Sequence, residues 1–208
     1  MYDTAHVDRF VRDNLPPKHQ LPEIIFETPE LQFPARLNAA AALLDKAVME
    51  GAGERIALIG KDICWTYRDL QCKVNQLAHV LTEDMGLIPG NRVLLRGANT
   101  PWFAASWLAV WKAGGVAVGT MPLLRAKELK QFIHLSKISH ALCEISLAEE
   151  LNLVRPSCPE LSHVLLFGDD AFSSKLSSKS SDFSALDTAS DDPALIAFTT
   201  GTTGIPKG

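Results

Sequence analysis

The sequence predicts an α/β protein with a largely parallel sheet flanked by helices, and three observations carry that expectation. Between residues 93 and 167 short β-prone runs alternate with helix-periodic ones. The intervening runs are long enough to be crossover helices, which makes βαβ units the natural assembly. The chain has 208 residues, 47% of them hydrophobic and 21% charged, enough to bury one substantial core.

The elements follow in order. Residues 1–33 show little periodicity and carry Pro16, Pro17, Pro22 and Pro29, so an extended N-terminal arm is expected there, with residues 34–208 forming the body. Leu37, Ala40, Ala41, Leu44 and Val48 fall at helical spacing, with Asn38 near the start and Gly51 past the end. Residues 56–60 and 63–67 are β-prone and separated by Lys61 and Asp62, a connection of hairpin length. Thr66 is placed to cap a long helix whose stripe is Leu70, Val74, Leu77, Ala78 and Leu81.

Strands are then expected at 93–96, 116–120, 140–145 and 163–167, with helices at 101–113, 125–136 and 146–154. Residues 171–184 hold seven serines and two lysines, which predicts a mobile loop. The apolar run 194–199 predicts a last strand, and Asp191 and Asp192 before it are expected to end the loop in solvent.

Composition also excludes classes of function. Twenty Lys and Arg against 24 Asp and Glu give a net charge of −4 with the basic residues scattered, which argues against nucleic acid as a partner. The longest uncharged apolar stretch, residues 97–111, is 15 residues, short of the roughly 18 needed to span a membrane. The N-terminus lacks an apolar signal region, so a cytoplasmic location is expected. The four cysteines, Cys64, Cys72, Cys143 and Cys158, show no paired spacing and are read as buried free thiols. Trp102, Trp107 and Trp111 lie along one helix and are read as core packing. His134 and His140 have no ligand-spaced neighbour in sequence, so no metal site is expected.

Chemistry concentrates at residues 199–208, Thr199-Thr200-Gly201-Thr202-Thr203-Gly204-Ile205-Pro206-Lys207-Gly208, directly after the last apolar run. Gly allows close backbone approach, amides and hydroxyls donate to phosphate oxygens, and Lys adds a point charge. The spacing is not that of a Walker A loop, because Gly208 follows Lys207 where a Mg²⁺-holding hydroxyl would stand.

The run AFTTGTTGIPKG, residues 197–208, resembles the phosphate loop T-S-G-T-T-G-x-P-K-G of the acyl-adenylate-forming superfamily, with Thr200 replacing Ser. Three upstream segments agree in order. Residues 65–70, WTYRDL, resemble the early T-Y-x-E-L segment. Residues 86–93 resemble G-x-x-P-G-D-x-V, with Asn91 for Asp, and residues 108–118, LAVWKAGGVAV, resemble L-A-x-x-K-A-G-G. Residues 33–40, 43–45 and 53–57 look like the openings of benzoate- and 2-aminobenzoate-CoA ligases.

This resemblance implies that residues 34–208 are the N-terminal part of an AMP-binding adenylation domain, ending at its phosphate loop. It implies a two-step ligation in which a carboxylic acid reacts with MgATP to form an acyl-adenylate and CoA then displaces AMP. Thr199, Thr200, Gly201, Thr202, Thr203, Gly204 and Lys207 would hold the β- and γ-phosphates. The adenine and ribose contacts, the acidic residue near Mg²⁺ and the catalytic lysine would all follow Gly208, so no catalytic residue is expected within this chain. The chain by itself is therefore expected to be inactive, to self-associate through exposed sheet edges, and to be poorly ordered over 199–208. The rival expectation is a naturally short, non-catalytic α/β module that binds a small molecule or a partner subunit.

Ordering the loop costs about 1–2 kcal/mol per residue, and each charge-assisted hydrogen bond returns only about 1.5–3 kcal/mol. Micromolar affinity needs about 8 kcal/mol net. Calorimetric titration of these 208 residues with ATP is expected to show no low-micromolar binding; a dissociation constant in that range would contradict the estimate.

Overall fold

The computed structural model describes residues 2–23, 25–61, 63–200 and 206–208. Among the described residues of the arm, Phe10–Asp13 forms a short α-helix, α1, and Lys18–Gln20 and Pro29–Leu31 form single 3-10 turns. The helix expected around Leu44 begins at residue 39, is wide-turned over Ala41–Asp45 and Val48–Ala52, and is broken at Gly51, whose φ of 92° is not helical. Asn38 starts it: its Oδ1 accepts the amides of Ala40 at 3.1 Å and Ala41 at 3.3 Å. Its side-chain amide donates to the carbonyls of Trp111 and Leu186, at 2.9 and 3.0 Å.

Strands β1 (Ile56–Ile59) and β2 (Cys64–Thr66) form the expected antiparallel pair. Thr66 then caps α2 (Tyr67–His79) through a reciprocal box with Asp69, in which the Asp69 amide donates to the Thr66 hydroxyl oxygen at 3.1 Å and the Thr66 amide to the Asp69 carboxylate at 3.0 Å. A wide turn, Val80–Asp84, extends α2 toward Gly86.

The alternation predicted next is present. It runs β3 (Arg92–Arg96), α3 (Pro101–Lys112), β4 (Val116–Thr120), α4 (Ala126–Ser136), β5 (His140–Glu144), α5 (Ala148–Val154) and β6 (His163–Phe167). The four strands form one parallel sheet in the order β4-β3-β5-β6. The side-chain period of two splits each strand between two cores. Val93, Leu95, Leu142 and Phe167 pack with α2 and α3. Leu94, Val118, Ala141 and Cys143 pack with α4 and α5. Because the crossover from β3 to β4 runs one way along the sheet and that from β4 to β5 runs back past β3, right-handed connections must place α3 and α4 on opposite faces.

Lys112, only 1% exposed, ties α3 to its surroundings: its ammonium pairs with Asp45 at 2.6 Å and donates to the Asn75 side-chain oxygen. The three tryptophans pack at the edge of the α2–α3 core, as expected.

Three expectations are corrected. The serine-rich stretch is not a loop throughout, since Asp170–Ser177 forms a helix, α6. Asp169 caps it by accepting the Phe172 amide at 2.8 Å, and Phe172 and Leu176, one turn apart, are buried against the α2–α3 core. Two apolar residues at i, i+4 with a cap were enough where composition suggested solvation. The apolar run 194–199 is extended but joins the sheet by a single parallel bridge, Ala117 to Leu195. Asp192 is not in solvent: its side chain is 3% exposed, because the N-terminal arm folds over it.

Phe172 also meets Trp102 edge-on at 4.9 Å. Phe172→Ala is expected to cost about 3 kcal/mol in urea unfolding; a change below about 0.5 kcal/mol would restore the solvated-loop description.

Candidate functional site

The segment that leads to residues 199–208 is laid along β4 by two hydrogen bonds and held to α3 by a third. The Ala194 carbonyl accepts the Ala117 amide at 3.0 Å and the Trp111 indole Nε1 at 2.8 Å, and the Ile196 amide donates to the Ala117 carbonyl at 2.9 Å. Phe198 then stacks flat on Phe132 of α4, with centroids 4.0 Å apart and planes inclined by 3°. From there the chain enters β7 (Thr199–Thr200), which pairs antiparallel with β8 (Pro206–Lys207).

Thr199 stands opposite Lys207 in this ladder, and Thr200 opposite Pro206. Directly opposed residues project to the same side, about 5 Å apart at Cβ. The pairing therefore sets Thr199 and the exposed Lys207 on the same side of the ladder at the base of a hairpin. Gly201, Thr202, Thr203 and Gly204 lie outside the described residues, and with Ile205 they make up half of the stretch for which poor order was expected. Gly208 passes close under the base, where a methyl group would come within 3.0 Å of both Ile196 and Phe198.

Beside the hairpin's root lies a cleft of about 600 Å³ at the carboxyl ends of β3 and β4, lined by Phe103, Trp107, Met121, Pro122, Leu195 and Ile196 among others. It sits where neighbouring strands send their connections to opposite faces, the usual place for a ligand in an open parallel sheet. Its walls are held by two charged side chains. Arg96, 1% exposed, donates to the carbonyls of Met121, Pro122, Leu124 and Leu147 at 3.0 to 3.3 Å. Glu144 accepts the Ala98 amide at 2.8 Å. Burial pulls the Arg96 pKa below the ordinary guanidinium value, yet an arginine stays charged at neutral pH. Arg96 was missed in the sequence, although an arginine closing the apolar strand Arg92–Arg96 is a visible signal.

The histidines take packing and surface roles. His140 is buried, its Nε2 2.9 Å from the Met85 carbonyl oxygen, and it stacks on His163 at 4.8 Å. His134 pairs with Glu160 and has the Cys158 thiol 3.9 Å away, neighbours that only the fold supplies. Among the described residues no group of three or more His, Cys, Asp or Glu could hold a metal ion. Cys143 and Cys158 are buried as expected, whereas Cys64 is exposed on the outward face of β2 while Trp65 turns inward.

The chain and its fold have counterparts. The profile of a family described as AMP-binding enzyme matches residues 44–208. The human mitochondrial acyl-coenzyme A synthetase ACSM5 is 32% identical over 155 residues, 71% of this chain and 27% of that protein. Benzoate–CoA ligase of Thauera aromatica is 27% identical over 183 residues, 86% of this chain and 35% of that protein. The solved structure of the anthranilate CoA ligase AuaEII in complex with anthranoyl-AMP has a TM-score of 0.78 at 22% identity, over 85% of this chain and 34% of that one, a likeness of fold. The chain thus spans about a third of the length of the relatives it matches.

Burial pushes the Cys143 thiol up to about 11, so it is not a nucleophile at neutral pH. In the folded protein at pH 8, iodoacetamide is expected to alkylate Cys64 and spare Cys143, with both labelled in urea. Mass spectrometry that found Cys143 labelled as fast as Cys64 would contradict the packing around β5.

Proposed function

Since the chain belongs to the AMP-binding enzyme family, we propose that it is the N-terminal part of an ATP-dependent carboxylic acid–CoA ligase and that residues 199–208 are its phosphate loop. The observation that carries this reading is the hairpin base, with Thr199 opposite Lys207, rooted beside a cleft at the carboxyl edge of a parallel sheet. Thr199, Thr200, Gly201, Thr202, Thr203, Gly204 and Lys207 hold the β- and γ-phosphates of ATP. A carboxylate oxygen attacks the α-phosphorus, the bond to the β-phosphate oxygen breaks, and pyrophosphate leaves with the developing charge.

The contribution of these residues is positional and electrostatic: hydroxyls, amides and one ammonium stand where negative charge accumulates on the leaving group. The thiol of CoA then displaces AMP from the acyl-adenylate. Mg²⁺ arrives with ATP as the substrate complex; the described residues of this chain present no ligand cluster for it. An aromatic acid such as benzoate or 2-aminobenzoate is the proposed substrate, supported by the likeness to benzoate–CoA ligase and by the sequence at residues 33–57. On this proposal residues 1–33 are an arm and residues 34–208 are part of the adenylation domain. The 208 residues alone are proposed to be inactive.

The test is carboxylate-dependent exchange between ATP and pyrophosphate, measured on the complete gene product with benzoate, 2-aminobenzoate and straight-chain fatty acids. Exchange is expected with an aromatic acid. Lys207→Ala is expected to lower kcat/KM for ATP about 10- to 100-fold, the worth of one charge-assisted contact, with an unchanged melting temperature because Lys207 is exposed. Absence of exchange with every acid would leave the non-catalytic module as the better account.

A further inference from the structure

The N-terminal arm is bonded to the start of the segment that leads to the hairpin. We propose that Arg12 and Asp192 are positioning residues, which clamp the start of segment 193–200 and so fix Thr199 for phosphate binding. The catalytic part of this inference rests on the ligase reading; the mechanical part does not.

Asp192 is only seven residues before Thr199, and its carboxylate is filled by four donors. Oδ1 accepts Arg12 Nη1 at 2.7 Å and the Thr4 hydroxyl. Oδ2 accepts the Ala5 amide at 3.1 Å and the Ala189 amide at 2.9 Å. Three of the four donors therefore come from the arm. Both members of the ion pair are buried, with the Arg12 side chain 7% and the Asp192 side chain 3% exposed. Arg12 also donates to the Tyr2 carbonyl at 3.0 Å, and the Tyr2 amide donates to Asp191 at the same distance.

The arm is fastened a second time, at the amino edge of the sheet. Asp8 pairs with Arg92 of β3 and accepts the Asn91 side-chain amide at 2.9 Å, and the amides of Val7 and Asp8 donate to the Pro89 carbonyl at 3.0 and 2.9 Å. Gly90, at φ 90°, leaves room for this crossing: a Cβ there would lie 2.0 Å from the Asp8 carbonyl oxygen. The arm is thus a strap between β3 and Asp192, and it precedes the family match, which begins at residue 44.

From Asp192 the constraint passes along the backbone without a slack turn. Two residues on, Ala194 is bonded to Ala117 and Trp111, then Ile196 to Ala117, then Phe198 to the face of Phe132. Burial works to raise the Asp192 pKa, but the bonds from Thr4, Ala189 and Ala5 outweigh it and hold the group below its ordinary value. The clamp is therefore charged and intact at neutral pH, and its stabilisation is lost only as acid carries the pH down through that lowered pKa.

Amide hydrogen exchange on the 208-residue chain tests the clamp directly. In Arg12→Gln the amides of Ala117 and Ile196 are expected to exchange at least tenfold faster, while those of β5 and β6 keep their rates, and Arg12→Lys is expected to restore most of the protection. Thr4→Val, which leaves the ion pair in place, serves if Arg12→Gln does not fold, with a smaller increase at the same two amides. Unchanged rates at Ala117 and Ile196, or an equal increase across β5 and β6, would overturn the proposal. In the complete gene product Thr4→Val is expected to raise KM for ATP several-fold at constant kcat, and an unchanged KM in an active enzyme would also overturn it. If the parent protein exchanges pyrophosphate with no acid, the ligase reading falls while the exchange rates at Ala117 and Ile196 still decide the clamp.

Discussion

The burial of β3 is the constraint on which the rest of the structure depends. All five residues of Arg92–Arg96 are buried, so this central strand must be covered on both faces and its two terminal arginines must find partners. A guanidinium taken out of water is tolerated only when its donors are bonded. Arg92 meets the need at the amino edge, with the Ser136 and Lys137 carbonyls at 2.8 and 2.7 Å and the Asp8 carboxylate. Arg96 meets it at the carboxyl edge, where its acceptors are all backbone carbonyls. One strand thereby organises the loops at both ends of the sheet.

The functional geometry follows from the carboxyl edge. Arg96 holds the turn after β4, Glu144 holds the turn after β3, and the cleft lies between them. The extended segment 193–198 passes that cleft along β4 and delivers the hairpin base. At the amino edge Arg92 holds the arm, and the arm holds Asp192, so both arginines of one strand bear on the path to Thr199. The phosphate-binding proposal and the strap are in this sense two consequences of the same buried strand.

Much of this was legible in the residues alone. The four strands of the sheet and α3, α4 and α5 were placed within a few residues, because apolar period and Gly/Pro punctuation are local properties. The Thr66 cap and the helix start near Asn38 were similarly local. The α6 helix was not visible because Phe172 and Leu176 are a minority among serines, and their worth comes from Trp102, 70 residues away in the chain. Cys64 was misplaced for the same kind of reason, since only the pairing of β1 with β2 decides which of Cys64 and Trp65 faces inward.

Local pattern and local chemistry were enough for the fold class, the order of the elements and the position of the Gly/Thr-rich run at 199–208. The tertiary structure alone decided that Asp192 is a buried anchor rather than a solvated loop end, that Arg96 shapes a cleft wall, and that Thr199 faces Lys207. Each of these is a contact between groups distant in the chain or opposed across a ladder. Their free energy depends on distance and exclusion of water, and those quantities exist only once the chain has folded.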